Sequence, residues 1–407
     1  MKNISNTFLI FIVSPFIALY SVLVDYRKND ISFFFPIFLA FIGASLYPVG
    51  DAERYRDRFY ELHDRDLSLE QFSSTVLDGE LSLDLAVPSI SYIISKMTRN
   101  EKILFAVFGL ILGFFYGRNI QFILDKFNKT NLNFFVLILI FVFSLIVSFW
   151  DGIRGVRMWT GAHIFFYAVS HIMERRNLKS FGFLFLACAY HFSFLLPVFI
   201  FLGYYFLPKK QFLPIAFIFF IISLIVSDFN IEFIKNLVLK NSPKFFLYTM
   251  EGYTGDDYID TLKEDVKTYS FHFAISGIVL KFTLVYLLII SYIGSRNLLN
   301  IKNVYTKYFL FVFILFGVGN FLSVLPSGGR FVRLALLFSI VPIYFGYQNI
   351  SRIRRYVYHV SILPLLFWLV ISIRESFYSL SIASVFGNPI LILLDYGTSK
   401  NLDSLIK

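Results

Sequence analysis

The sequence predicts an all-α, polytopic integral membrane protein that forms a single membrane domain over residues 1–407. Hydrophobic residues make up 57% of the chain and charged residues only 16%, whereas about a quarter of the residues in soluble domains are charged. Apolar runs of about 20 residues, each long enough to cross a bilayer, recur along the whole length. The alternating segments of about ten residues that a transmembrane β-barrel needs are not seen. We therefore expect roughly 11–13 transmembrane helices.

The apolar runs can be followed in order along the chain. The sequence predicts spans at Ile4–Val24, Ile31–Val49, Ile103–Phe122, Asn133–Phe149, Val156–Met173, Gln211–Val226, Phe271–Tyr292, Tyr308–Leu325, Phe331–Tyr347 and Val357–Ile373. The run Phe181–Leu207 is too long for one straight helix in a bilayer of about 30 Å. Because it contains His191 near its middle and Pro197, we expect two shorter helices joined at Tyr190–Ser193. Leu380–Leu394 predicts a re-entrant segment or a final crossing.

Two long polar segments, 50–102 and 228–270, interrupt the spans, and both carry more acidic than basic residues. Within the first, Leu83–Met97 is a short amphipathic run that we expect at the membrane interface. Between the spans the short turns are basic, which is the pattern of cytoplasmic loops. These turns contain Arg27, Lys126, Arg175, Lys209, Lys302 and Arg354. The net charge of +10 therefore reports topology and does not indicate a nucleic-acid partner.

With the basic turns inside, both acidic segments lie outside, and so do two arginine pairs. Arg154 and Arg157 are three residues apart, and Arg330 and Arg333 repeat that spacing. On a helix this spacing puts both side chains on one face. Guanidinium groups bind phosphate oxygens bidentately, so each pair predicts an anion clamp. The alternative is that the arginines reach lipid headgroups or pair with loop carboxylates.

Other polar residues sit where they can act on the same ligand. His191 can donate a hydrogen bond to phosphate, act as a general base, or be a satisfied core residue. Asp51 can accept a proton from a sugar hydroxyl, or serve as the N-cap of a helix over Ala52–Leu62. Lys281, inside a span, can pair with a carboxylate or add charge to the anion site. Tyr55 can stack on a sugar ring or belong to the aromatic belt.

No metal or cofactor is predicted. Cys188 is the only cysteine, so it can form no internal disulfide and no metal cluster. His163 and His171 are eight residues apart, a spacing that suits no standard metal pair.

Several short motifs along nearly the whole chain resemble those of the EpsG/Wzy group of polysaccharide polymerases. The resembling residues are Gly50-Asp51 with Tyr55, Ile153-Arg154, Ala187-x-x-x-His191-x-Ser193 and Arg330. Family members often have Arg-Gln where this chain has Arg154-Gly155.

The resemblance implies a nucleotide-independent glycosyltransferase of the GT-C type on the periplasmic face of the bacterial inner membrane. Such an enzyme moves a growing glycan from undecaprenyl pyrophosphate to an undecaprenyl-pyrophosphate-linked repeat unit, in some systems beside a chain-length regulator. For this reaction we predict Arg154, Arg157, Asp51 and His191 as catalytic residues, the last two as candidate bases. We predict Arg330, Arg333, Tyr55 and Lys281 as substrate-binding residues.

Two other functions fit much of the same sequence. An O-antigen ligase would use the same donor with a different acceptor. A flippase for lipid-linked oligosaccharides would also be basic and polytopic, but two related halves and short outer loops would be expected of it.

Overall fold

The computed structural model describes residues 2–24, 31–46, 48, 50–77, 84–127, 133–175, 178–207, 209–225, 271–299, 304–323, 327–351, 355–377 and 388–389. Within these ranges the regular structure is helical and contains no strand, which confirms the all-α class. The predicted external segment 228–270 and nearly all of Leu380–Leu394 lie outside the described residues.

The first half of the chain forms twelve of the described helices. They are α1 (Lys2–Val13), α2 (Pro15–Val24), α3 (Ile31–Ala44), α4 (Asp51–Arg65), α5 (Leu69–Leu77), α6 (Ala86–Ser95), α7 (Glu101–Phe127), α8 (Phe134–Ile146), α9 (Phe149–Arg154), α10 (Val156–Arg175), α11 (Phe181–Tyr190) and α12 (Leu195–Phe206).

The described helices of the second half are numbered on from these. They are α13 (Lys209–Ile225), α14 (Phe271–Ser295), α15 (Val304–Leu322), α16 (Gly329–Asn349), α17 (Tyr356–His359) and α18 (Ile362–Ser376).

Among the described residues, six helical stretches are long and apolar enough to cross a membrane, and shorter apolar helices accompany them. The six are Glu101–Phe127, Phe134–Arg154, Ala274–Leu298, Val304–Leu322, Gly329–Asn349 and Tyr356–Ser376. The protein is therefore a multi-pass membrane protein, as predicted.

The chain divides into two compact units, described separately below. The first contains Met1–Leu132, Val147–Val198 and Ile373–Lys407. The second contains Asn133–Ile146 and Phe199–Ser372.

The predicted break within Phe181–Leu207 is confirmed. α11 ends at Tyr190, and His191 is extended, with φ −153° and ψ 119°. A 3₁₀ turn, Phe192–Phe194, then leads into α12. The interruption leaves backbone groups that need partners from outside the helix.

The predicted span Ile4–Val24 contains a break at Ser14, because Pro15 has no N–H to donate to the hydrogen-bond ladder and begins α2. Backbone hydrogen bonds nevertheless bridge the break, from the Ser14 N–H to the Ile10 carbonyl oxygen and from the Ala18 N–H to the Ser14 carbonyl oxygen.

One alternative given for Asp51 is wrong. Asp51 is the first residue of α4 and not its N-cap, which is Gly50. Gly50 has φ 62°, a conformation that glycine adopts without steric cost.

In the first unit, α3 and α7 pack with their backbones in contact. A Cβ added at Gly109 would lie 1.9 Å from the carbonyl oxygen of Leu39, and one at Gly113 would lie 2.5 Å from that of Phe35. From the other helix, a Cβ on Gly43 would lie 2.0 Å from the Phe105 carbonyl oxygen. Small residues four apart are the usual means of such close approach in membrane helices.

Helices α7 and α10 of the same unit run in the same direction. Near their middles, the Asn119 side-chain amide donates to the His163 carbonyl oxygen at 2.9 Å. Near their C-terminal ends, Lys126 and Glu174 form an ion pair of 2.7 Å. The two N-terminal ends are therefore also on one side, where α4 contacts both helices through Tyr55.

The second unit has its own close packing. α15 lies against α13 and α16, and α14 packs on α16. At that last contact a Cβ on Gly346 would lie 2.3 Å from the Cβ of Ser291. The Ser291 hydroxyl lies 3.0 Å from that of Tyr358.

The α3–α7 contact gives a first prediction. Gly109→Ala should destabilise the protein by about 1–3 kcal/mol, because the methyl group has to displace the backbone of α3. The measurement is the midpoint of thermal unfolding in detergent. Gly182→Ala, in helix α11 with no atom within 4 Å of the added Cβ, is the control and should be neutral or slightly stabilising. Equal midpoints for the two variants would contradict the packing argument.

Candidate functional site

A fully buried carboxylate, Asp84, lies at the centre of a polar cluster in the first unit. One of its oxygens accepts from Arg157 Nη1 at 2.9 Å. The other accepts from the backbone N–H of Phe192 at 2.8 Å. Next to Asp84, the Leu85 N–H donates to the Ala189 carbonyl oxygen at 2.9 Å. The segment before α6 is thus hydrogen-bonded to the break between α11 and α12.

Arg157, in the first turn of α10, extends this cluster to α4. Its Nε donates to the Tyr55 hydroxyl oxygen at 3.0 Å, and its guanidinium carbon lies 5.7 Å from the centroid of that ring. The Arg157 side chain is 27% exposed and that of Asp84 is 0% exposed. An ion pair this buried needs further hydrogen bonds to offset desolvation, and Tyr55 and the Phe192 N–H supply them.

Tyr55 is held from two sides. The residue is 7% exposed, and its ring meets that of Phe108 in α7 edge to face, with the centroids 6.3 Å apart. Burial raises the pKa of Tyr55 above its ordinary value, and the charge of Arg157 offsets only part of this increase. The phenol is therefore neutral near pH 7, and from this position Tyr55 orients the Arg157 guanidinium.

His191 lies beside Asp84, with its Nδ1 3.6 Å from the carboxylate. That same nitrogen accepts from the backbone N–H of Ser193 at 3.3 Å. A neutral imidazole that accepts at Nδ1 carries its proton on Nε2. Nδ1 thus faces both a carboxylate and a backbone donor, and the two chemical roles predicted for His191 stay predictions.

Asp51 is on α4, four residues before Tyr55 and on the same face of the helix. Its closest ionic neighbour is Arg54 at 3.6 Å, a side chain that is 81% exposed. Asp51 itself is 36% exposed, and its charge acts on the Tyr55 phenol. It is thus a solvent-accessible carboxylate at the edge of the cluster, as a proton acceptor has to be.

The prediction that Arg154 and Arg157 share a face of one helix is wrong. Arg154 is the last residue of α9, and Arg157 belongs to α10. The helix breaks at Gly155, with φ −101° and ψ 47°. A Cβ at this glycine would lie 2.9 Å from the Trp159 ring. Arg154 is half-buried, on a helix that packs against α7 through Gly152.

Three predicted site residues lie in the second unit. Arg330 and Arg333 are in the first turn of α16, the former half-buried and the latter exposed. Lys281 is half-buried within α14. Among the described residues, no ion pair joins Lys281 to a carboxylate. The predicted roles of these three residues remain predictions.

Asp84 is the member of the cluster that the sequence analysis did not single out. It is one of many carboxylates in 50–102, but the sole acidic residue of the amphipathic run Leu83–Met97. The signal in the sequence that could have identified Asp84 was an acidic residue directly before an apolar helix.

The burial of Asp84 gives a second prediction. Asp84→Asn should cost about 3–5 kcal/mol of unfolding free energy, because it leaves the Arg157 charge without its carboxylate. Asp64→Asn is the matched control. Asp64 pairs with Arg99 at 3.0 Å, but those side chains are 53% and 61% exposed, so the loss should be about 1 kcal/mol or less. Thermal unfolding in detergent measures both.

A double variant, Asp84→Asn with Arg157→Met, completes the test. It should recover part of the loss, since no buried charge is then left unpaired. If Asp84→Asn behaves like Asp64→Asn, the buried pair does not organise this region.

Comparison with known proteins identifies the family of this chain. A model of the EpsG family matches residues 30–382, a range that includes every candidate site residue described above. No curated protein matches, and no solved structure does. Membership of this family supports a polysaccharide polymerase-type role in general.

Proposed function

Since this chain belongs to the EpsG family, we propose that it is a GT-C-type glycosyltransferase that polymerises a surface polysaccharide. It would transfer a growing glycan from undecaprenyl pyrophosphate to an undecaprenyl-pyrophosphate-linked repeat unit. One observation carries the proposal. Arg157, oriented by Asp84 and Tyr55, lies with Asp51 and His191 at one end of the α7–α10 pair. Cation, hydrogen-bond donor and accessible carboxylate are thus present in one cluster.

The position of this cluster along the helices supports a periplasmic active site. Phe108, which contacts Tyr55, and Lys126 are 18 residues apart on α7. At 1.5 Å per residue this is about 27 Å, close to the thickness of the hydrocarbon core. Lys126 belongs to a basic turn, the kind that lies in the cytoplasm. A cluster at the other end of α7 then faces the periplasm.

In the proposed reaction, an acceptor hydroxyl attacks the anomeric carbon of the donor glycan. The new glycosidic C–O bond forms while the bond to the diphosphate breaks. The diphosphate leaves with the electron pair, and the hydroxyl proton passes to Asp51. Because diphosphate is a stable anion, it needs charge stabilisation more than a strong acid. Arg154 and Arg157 supply charge, and His191 Nε2–H donates a hydrogen bond.

The function is tested by deleting the gene and separating the envelope polysaccharide on a gel. We expect the deletion to leave single repeat units and wild type to restore the ladder. The Arg154→Ala variant, at equal protein level, should leave single units. Loss of all polysaccharide in the deletion strain would contradict a polymerase and indicate a ligase or flippase. An intact ladder with Arg154→Ala would remove this arginine from the mechanism.

The base assignment gives a further prediction. Asp51→Asn should lower the polymerisation rate of the purified protein by about 10²–10⁴-fold, the usual contribution of a positioned base. Asp57→Asn removes the same charge from α4 at a side chain that is 64% exposed, and it should leave the rate unchanged. The assay follows the chain length of a labelled lipid-linked repeat unit. Equal rates for the two variants would exclude Asp51 as the base.

A further inference from the structure

One arginine of α4 faces the cluster without an anionic partner. Arg58 comes three residues after Tyr55 and therefore lies on the same face of the helix. It is half-buried. Among the described residues no carboxylate forms a hydrogen bond or ion pair with it. The nearest compensation is the more distant charge of Glu61, which is exposed.

The position of Arg58 carries an electrostatic cost. Burial and the neighbouring charge of Arg157 lower the pKa of Arg58 below its ordinary value. An arginine nevertheless stays protonated in proteins, so the repulsion between the two guanidinium groups persists. In a partly desolvated site such repulsion is stronger than in water.

The surrounding carboxylates do not relieve this cost. Asp84 is already occupied by Arg157 and the Phe192 N–H. On the other side of α4, Arg56 pairs with Asp57 at 3.0 Å, and Arg99 pairs with Asp64 at 3.0 Å. Asp51, the remaining carboxylate of the cluster, pairs with Arg54 at 3.6 Å. No described carboxylate of the cluster therefore forms an ion pair with Arg58.

We propose that Arg58 and Arg157 together bind one phosphate oxyanion, and that this anion is the diphosphate of the lipid-linked donor. The inference rests on the function proposed above. Two planar guanidinium groups can each donate two hydrogen bonds to a phosphate, which a lysine cannot match. Asp84 and Tyr55 fix Arg157 in place, so less side-chain ordering is needed when the anion arrives. Arg58 supplies the second guanidinium group, from α4.

Binding of inorganic pyrophosphate to the purified full chain tests the site directly. Calorimetry in an uncharged detergent at low salt should give an affinity that Arg58→Gln weakens by roughly 10- to 100-fold, the value of a charge-assisted hydrogen bond. The affinity of Arg58→Lys should lie between those of wild type and Arg58→Gln, because lysine keeps the charge but cannot donate two parallel hydrogen bonds. Arg65→Gln, at the exposed last residue of α4, removes the same charge and should bind like wild type.

A stability measurement separates ligand binding from a structural role. Without pyrophosphate, Arg58→Gln should unfold at the same temperature as wild type or higher, because it removes the repulsion with Arg157. Pyrophosphate should then raise the unfolding temperature of wild type more than that of the variant. A lower unfolding temperature for the ligand-free variant would indicate a structural arginine and overturn the proposal.

The source of the phosphate is distinguished by a second ligand. Micelles containing phosphatidylglycerol present a singly charged phosphodiester without a diphosphate. Pyrophosphate binding that these micelles do not displace supports the donor diphosphate. Tighter, Arg58-dependent binding of phosphatidylglycerol would assign the site to a lipid headgroup and overturn the proposal.

Equal pyrophosphate affinity in wild type and Arg58→Gln would also overturn it. Neither tighter phosphatidylglycerol binding nor equal pyrophosphate affinity would change the polysaccharide ladder that the wild-type protein produces. Failure of this inference is therefore distinct from failure of the proposed function.

Discussion

The ion pair between Asp84 and Arg157 fixes the relative positions of the parts of the first unit that carry its chemistry. Its partners are distant in sequence, 73 residues apart for the pair itself and 108 for Asp84 and Phe192. A buried carboxylate with one cation and one backbone donor is tolerated only in a narrow geometry. The buried ion pair thus contributes less stability than apolar side chains would, but it fixes the orientation of Arg157. This is common where a charged group has to be positioned before its ligand binds.

The helices behind the cluster give this orientation a rigid support. The glycine contacts bring α3 and α7 to backbone distance, and the buried Asn119–His163 contact ties α7 to α10. α4 is attached to this support through Tyr55, which contacts Phe108 of α7 and Arg157 of α10.

The sequence predicts the helical class and six spans that the described helices match in length and apolarity, because these two properties can be read from composition along the chain. The break at His191 was also predictable, since Phe181–Leu207 exceeds one bilayer crossing. The pairing of Asp84 with Arg157 was not, because it depends on tertiary contacts that no periodicity records. The start of α10 at Val156 agrees with the predicted span, but the shared face of Arg154 and Arg157 was wrong because Arg154 belongs to the preceding helix, α9. Arg58 is one of four arginines in α4. Arg56 is half-buried as well, but it pairs with Asp57, whereas no described carboxylate pairs with Arg58, and the sequence does not show this difference.

The contacts of Asp84 also set an order of events during biosynthesis. The helix that follows Asp84, α6, leaves the ribosome well before the residues to which Asp84 binds. The carboxylate can be neutralised only after α10 and the Phe192 turn have been made and inserted. Until then the acidic segment that carries Asp84 has to remain in water, outside the bilayer. The cluster consequently cannot form before Phe192 has been made, and a truncated chain that stops before Phe192 lacks one of its hydrogen bonds.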